Sequence, residues 1–81
     1  MDRNRLLNML ETRSVKPTVM RLLVLDLLLK QKTVISHTDL EEHFDKVDKS
    51  TLYRTLKTFQ QHKVIHRIDD GTGAVKYAVG N

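Results

Sequence analysis

The spacing of apolar residues changes along the chain, and the changes mark out the elements. Leu6, Met9 and Leu10 recur three and four residues apart. That spacing predicts a short amphipathic helix, with Asp2 as its N-cap and Arg13 closing it where a cation suits the helix dipole. Ser14-Val15-Lys16-Pro17 reads as a turn, and Pro17 fits the first position of a second helix, where its missing N–H would be unpaired anyway. Val19, Leu22, Leu23, Leu25, Leu27, Leu28 and Leu29 then occupy almost every side of that helix, which predicts the central, most buried element. Core packing accounts for so many leucines without a cofactor. Gln31-Lys32-Thr33 ends the helix, and Val34-Ile35 suggests a short extended piece. Ser36 or Thr38 then caps a third helix running to about Phe44, with Leu40 and Phe44 turned inward. Asp48 and Ser50 offer caps for a fourth helix, in which Leu52, Leu56 and Phe59 project within one narrow arc.

From Val64 the period shortens to that of strands. Val64–Ile68 and Ala74–Val79 flank Asp69-Asp70-Gly71-Thr72-Gly73, whose Asp-Gly chemistry suits a hairpin turn. The expected fold is mainly α with a C-terminal β-hairpin. With no internal repeat, low-complexity stretch or Gly/Ser/Pro-rich linker, one domain is expected over residues 1–81.

Charge adds more than composition does. A net charge of +4 and a pI near 9.6 point only mildly to a polyanion, because many small proteins are this basic. The distribution is more telling. Asp39, Glu41, Glu42, Asp45 and Asp48 crowd one window, whereas the stretch from Lys49 to Lys63 contains Arg54 and Lys57 and no acid. At 100° per residue, Ser50, Arg54, Lys57 and Gln61 project opposite the apolar arc of the fourth helix, with Tyr53 on its flank. An acid-free helical face is what a phosphate-lined groove requires, and the acidic third helix should face away from it. Two helices joined by a polar connection, the second cationic and followed by a hairpin, form the layout of a winged helix-turn-helix.

Several function classes are excluded or disfavoured. The chain has 81 residues and no cysteine, so it has no disulfide, no thiol nucleophile and no thiolate for zinc or iron-sulfur binding. The N-terminal MDRNRLLNMLETR lacks the unbroken apolar stretch of a signal peptide. The run from Val19 to Leu29 is interrupted by Arg21 and Asp26 and falls short of the roughly 20 residues that span a bilayer. A soluble cytoplasmic domain without membrane contact is therefore expected. His37, His43, His62 and His66 are the nitrogen ligands, and their spacing makes no strong metal pattern, so no metal site is expected within these residues. His62 suits a C-terminal helix charge instead. The carboxylates of the third helix have no cleft to raise a pKa, which disfavours acid-base catalysis. A winged helix used only for protein contacts is the alternative to DNA binding.

The segment from Ser14 to Val79 resembles the N-terminal DNA-binding domain of the ferric uptake regulator family of bacterial transcription regulators. SVKPTVMRLLVLDLL is similar to the family's Lys-x-Thr-x-x-Arg opening into an apolar helix, ISHTDLEEHF to its Val-Ser-Ala-Glu-Asp-Leu helix, and STLYRTLKTF to its Ala-Thr-Val-Tyr-Arg-x-Leu helix. The last match is the specific one. The resemblance implies the reading head of a metal-responsive repressor that binds operator DNA, with Tyr53 and Arg54 reaching bases in the major groove and Lys16 approaching the minor groove. Arg21, Ser50, Thr51, Thr55 and Lys57 are then expected at phosphates, and Lys76 or Arg67 on the hairpin at the neighbouring backbone. The resemblance also implies iron or zinc and a homodimer for a full-length protein, with the isolated domain monomeric.

The chain departs from the family pattern in two places. Met20, not proline, precedes Arg21, and Pro17 stands earlier. Val34 and Ala78 occupy positions where many members carry a histidine and a glutamate of a regulatory metal site. The family's other sensor ligands and its dimerisation domain would lie beyond Asn81, so a domain of a longer protein, or a short paralogue, is expected.

Overall fold

A computed structural model describes residues 2–31, 34–69 and 71–80. Lys32 and Thr33, expected at the end of the second helix, and Asp70 of the expected hairpin turn lie outside the described residues. The elements are α1 (Arg3–Thr12), α2 (Val19–Lys30), β1 (Ile35–Ser36), α3 (His37–His43), α4 (Lys49–Gln61), β2 (Ile65–Asp69) and β3 (Val75–Val79).

Each helix starts on a side-chain oxygen that takes a backbone N–H left without an intrahelical partner. Asp2 accepts from Arg5 at 3.2 Å, Thr18 from Arg21 at 3.2 Å, Ser36 from Asp39 at 3.0 Å and Asp48 from Ser50 at 2.9 Å. The second helix therefore begins later than Pro17 suggests. Thr18 supplies the capping hydroxyl that proline lacks, and Pro17 leads the chain into the cap. Two non-glycine residues at positive φ close helices: Ser14 (59°) after α1 and Lys63 (64°) after α4. They let Val15 N–H reach the Leu10 carbonyl and Val64 N–H reach the Phe59 carbonyl, both at 2.8 Å, which turns each valine into the core. The two ends meet, because His62, the C-cap of α4, donates through Nδ1 to the Arg13 carbonyl at 3.0 Å.

The core is continuous across all layers: Leu6 and Leu10 of α1, Leu22, Val24, Leu25 and Leu28 of α2, Leu40 of α3, Leu52, Leu56 and Phe59 of α4, and Ile35, Ile65 and Tyr77 of the sheet. The second helix is less enclosed than its leucines suggest. Val19 is 75% exposed and Leu23 42%, because α1, α4 and β3 cover one broad side of α2 and leave its N-terminal outer corner in solvent.

The expected two-stranded hairpin gains a third strand. The sheet is antiparallel in the order β1-β3-β2, with Ile35 opposite Tyr77 and Ser36 opposite Lys76 on one side, and Arg67 opposite Tyr77 on the other. Since directly paired residues share a face, Ile35, Tyr77, Ile65 and Val79 form the inner face and Arg67 stands at its margin. β1 runs straight into α3, so the wing is tied to the helix-turn-helix by backbone hydrogen bonds. Gly71 and Gly73 both adopt φ of 84° between β2 and β3, a conformation that side chains resist, and Asp69 accepts from Gly71 N–H at 3.0 Å.

Candidate nucleic-acid interface

Helix α4 has the strongest division between an apolar and a polar side. Leu52, Thr55, Leu56 and Phe59 are buried, whereas Ser50, Thr51, Tyr53, Arg54, Lys57 and Gln61 are exposed. Tyr53 leaves 58% of its surface in solvent although its ring is large and apolar. Among the described residues, neither Arg54 nor Lys57 has an acidic side chain within salt-bridge distance. Lys49, one turn earlier, is different, since its ammonium stands 3.7 Å from Glu41 of α3. The free cations of α4 thus begin at Arg54, next to an exposed aromatic ring.

Two expected phosphate contacts are corrected by this geometry. Thr55 is only 6% exposed, and its hydroxyl donates to the Thr51 carbonyl at 2.9 Å. Standing three residues after Leu52 and four before Phe59, it belongs to the inward stripe, and the carbonyl of the preceding turn satisfies its one donor. Ser50 is exposed, but its N–H and its hydroxyl both donate to Asp48 Oδ1, at 2.9 and 2.7 Å, so neither faces outward as a donor. The Ser50 hydroxyl, then its N–H, hold the Asp48 carboxyl below its ordinary range; burial opposes slightly and the charge of Arg54 assists.

The remaining candidates sit on other elements. Lys16 is exposed in the α1–α2 connection, where its carbonyl accepts from Arg21 Nη1 at 2.7 Å. Part of the Arg21 guanidinium is therefore committed to shaping the loop that carries Lys16. On the wing, Lys76 is partly buried and lies with Ser36 and Ile68 on the face opposite Tyr77. Arg67 is exposed and lies on the Tyr77 side. Burial raises the Tyr77 hydroxyl above the ordinary tyrosine range; the charge of Arg67 opposes this, and Tyr53 and Glu41 add to it. Arg67 borders Tyr77 across the β2–β3 pair. Strand register was the signal that could have put Arg67 ahead of Lys76, and it depended on pairing that the hairpin sequence leaves open.

The histidines do not converge. His37 meets Tyr77, His43 packs edge-on against Phe44 with ring centroids 4.9 Å apart, His62 bonds the Arg13 carbonyl, and His66 Nδ1 bonds the Gly80 carbonyl at 3.0 Å. Among the described residues, no three His, Cys, Asp or Glu side chains are grouped so as to hold a metal ion. The described His, Asp and Glu side chains therefore do not assemble a metal centre by themselves. Among the described residues, no helix is long and apolar enough to cross a membrane.

Against known proteins, the sequence pattern described as the ferric uptake regulator family matches residues 12–81. The chain belongs to the ferric uptake regulator family. Members are bacterial metal-responsive transcription regulators and not enzymes. No curated protein matches the chain significantly. Among solved structures, the ferric uptake regulator (Fur) of Vibrio cholerae, in which a structural rearrangement of the DNA-binding domains has been described, superposes with a TM-score of 0.77 at 22% identity. That match covers 93% of this chain and 61% of the other. Fur of Helicobacter pylori, described with three functional metal-binding sites, superposes with a TM-score of 0.66 at 18% identity, covering 94% of this chain and 53% of the other. At these identities the likeness shows the fold, a winged helix, and the chain spans only about half to three-fifths of those two Fur proteins.

Proposed function

We propose that this Fur-family chain is the DNA-reading module of a metal-responsive repressor, with α4 in the major groove of operator DNA. The observation that carries the reading is the outer side of α4, where Tyr53, Arg54 and Lys57 are exposed and, among the described residues, no acidic side chain stands within salt-bridge distance of the two cations. Thirteen helical residues make a rod about 20 Å long, slender enough for a groove about 12 Å wide. Arg54 offers the planar fork that pairs with guanine O6 and N7, and the Tyr53 ring suits the methyl group of thymine. Lys57, Thr51 and the free N–H groups of Arg21 serve as phosphate contacts that orient the helix without reading sequence. Lys16 extends from its loop toward a minor groove, and Arg67 supplies the wing cation on the α4 side. Lys76 reaches only the outer flank of the wing.

A whole protein of this kind would act in the cytoplasm as a homodimer, placing two such modules on half-sites about one helical turn apart, roughly 34 Å. Iron or zinc would need ligands in addition to the histidines described above, which do not converge on one another. Alone, the module binds weakly, because a single copy makes half the contacts.

The test is a titration of the 81-residue chain against a duplex it selects from a randomised pool, at several salt concentrations. Steep loss of affinity with salt supports phosphate neutralisation, whereas a module built only for protein contacts ignores duplex DNA at moderate ionic strength. Arg54→Ala should cost about 1 to 3 kcal/mol on the selected duplex and relax the preference at one base position. Undiminished affinity in that variant would rule out base reading by Arg54.

A further inference from the structure

A line of side-chain contacts joins the wing to the start of α4 without using any residue proposed above to touch DNA. Tyr77, on the middle strand, is 4% exposed, and its hydroxyl lies 3.1 Å from His37 Nδ1. The two rings are tilted by 55° with centroids 6.0 Å apart. His37 is the first residue of α3, and its Nε2 stands 3.7 Å from Glu41 Oε1 one turn later. The second oxygen of Glu41 stands 3.7 Å from the ammonium of Lys49, the first residue of α4. The contacts thus run from β3 through α3 to α4.

His37 itself meets Tyr77 of β3 and Glu41 of α3; Lys49 of α4 faces the other oxygen of Glu41, and the charges of Arg67 on β2 and Tyr53 on α4 act on Tyr77. With a neutral imidazole, the Tyr77 hydroxyl donates to Nδ1 while Nε2–H points to Glu41. With a protonated one, Nδ1–H donates to the Tyr77 oxygen and the new charge faces Glu41. Either form keeps both neighbours, so the link does not depend on one protonation state.

We propose that Tyr77 and His37 are positioning residues that fix the wing against α4 through Glu41 and Lys49, and so set how accurately Tyr53 and Arg54 meet the bases. The inference rests on the DNA-reading function proposed above. Nonspecific attraction to phosphates tolerates a small change in wing angle. Bidentate base contacts do not, so selectivity is the quantity these residues control.

The test uses the 81-residue chain with Tyr77→Phe, which keeps the buried ring and removes only the hydroxyl, together with His37→Ala and the double variant. In the free protein, Tyr77→Phe should shift the His37 ring nitrogens and the amide resonances of Lys49 to Tyr53. On the selected duplex each single variant should lose about three- to tenfold in affinity, with a scrambled duplex unchanged. The double variant should lose no more than the worse single, because both remove one contact. Unmoved α4 amides, or equal losses on both duplexes, would overturn the positioning role while leaving DNA reading intact. A parent chain that binds selected and scrambled duplexes alike would overturn base reading itself, and this role with it.

Discussion

Helices α3 and α4 are consecutive and both amphipathic, yet their outer sides are opposites. On α3, Asp39, Glu42 and Asp45 at its end face solvent, and Glu41 is held between His37 and Lys49. On α4, Arg54 and Lys57 face solvent, and among the described residues neither has an acid within salt-bridge distance. The inner sides do the same work, since Leu40 on one and Leu52, Leu56 and Phe59 on the other close a shared core. The fold needs only the inner sides. The outer sides are free to differ, and in a polyanion's field one helix is attracted and the other repelled.

The largest expected effect comes from breaking what the two helices share. Leu56→Ala and Leu40→Ala, at fully buried positions, should each cost about 2 to 5 kcal/mol in denaturant unfolding. A loss below 1 kcal/mol at either would mean that its helix is not part of the common core. The outer sides should separate next. Lys57→Ala should weaken all duplexes about equally and reduce the salt slope of log Kd by about 1, whereas Glu42→Ala should leave affinity within about twofold. If both changes had the same effect on the salt slope, the contrast between the helices would carry no functional meaning.

Thr55→Val sharpens the boundary between inner and outer sides of α4 itself. It removes one intrahelical hydrogen bond and adds a methyl group in the core, so stability should stay within about 1 kcal/mol and DNA affinity should not change. A Thr55→Val variant with much weaker binding would restore the phosphate contact that burial removes. The smallest effect is at the α3–α4 junction. The lowered Asp48 carboxyl favours the folded state above its ordinary value of 3.8, and that contribution disappears as pH falls through the lowered value. Asp48→Ala should therefore lower stability near neutrality, where the charged cap contributes fully, and flatten the acid limb below pH about 4, where that contribution has already been lost.

Much of this arrangement is legible in one dimension. The three- and four-residue recurrences place the helices, and Asp2, Ser36 and Asp48 act as the caps their positions suggest. Leu52, Leu56 and Phe59 define the inward side of α4, which makes Arg54 and Lys57 outward by elimination. The same periodicity contained Thr55, three residues after Leu52. A phosphate contact for Thr55 is implied by the resemblance alone; helical geometry points it inward. Ser50 could not be judged that way, because its hydroxyl turns to Asp48, a neighbour whose choice of partner depends on the rotamers at the cap.

Long-range pairing lay further out of reach. Val34-Ile35 reads as extended, but nothing local says that Ile35 pairs with Tyr77, forty-odd positions away, or that β3 becomes a middle strand. Registering those strands decides that Arg67 borders Tyr77 and that Lys76 faces the other way. Helical period and end chemistry are short-range properties, governed by neighbours three or four residues apart, so the sequence by itself determined the helices, the caps of α1, α3 and α4, and the cationic side of α4. Exposure of Val19, burial of Thr55 and the contact of His37 with Tyr77 depend on which distant surfaces meet, and only the tertiary structure decided them.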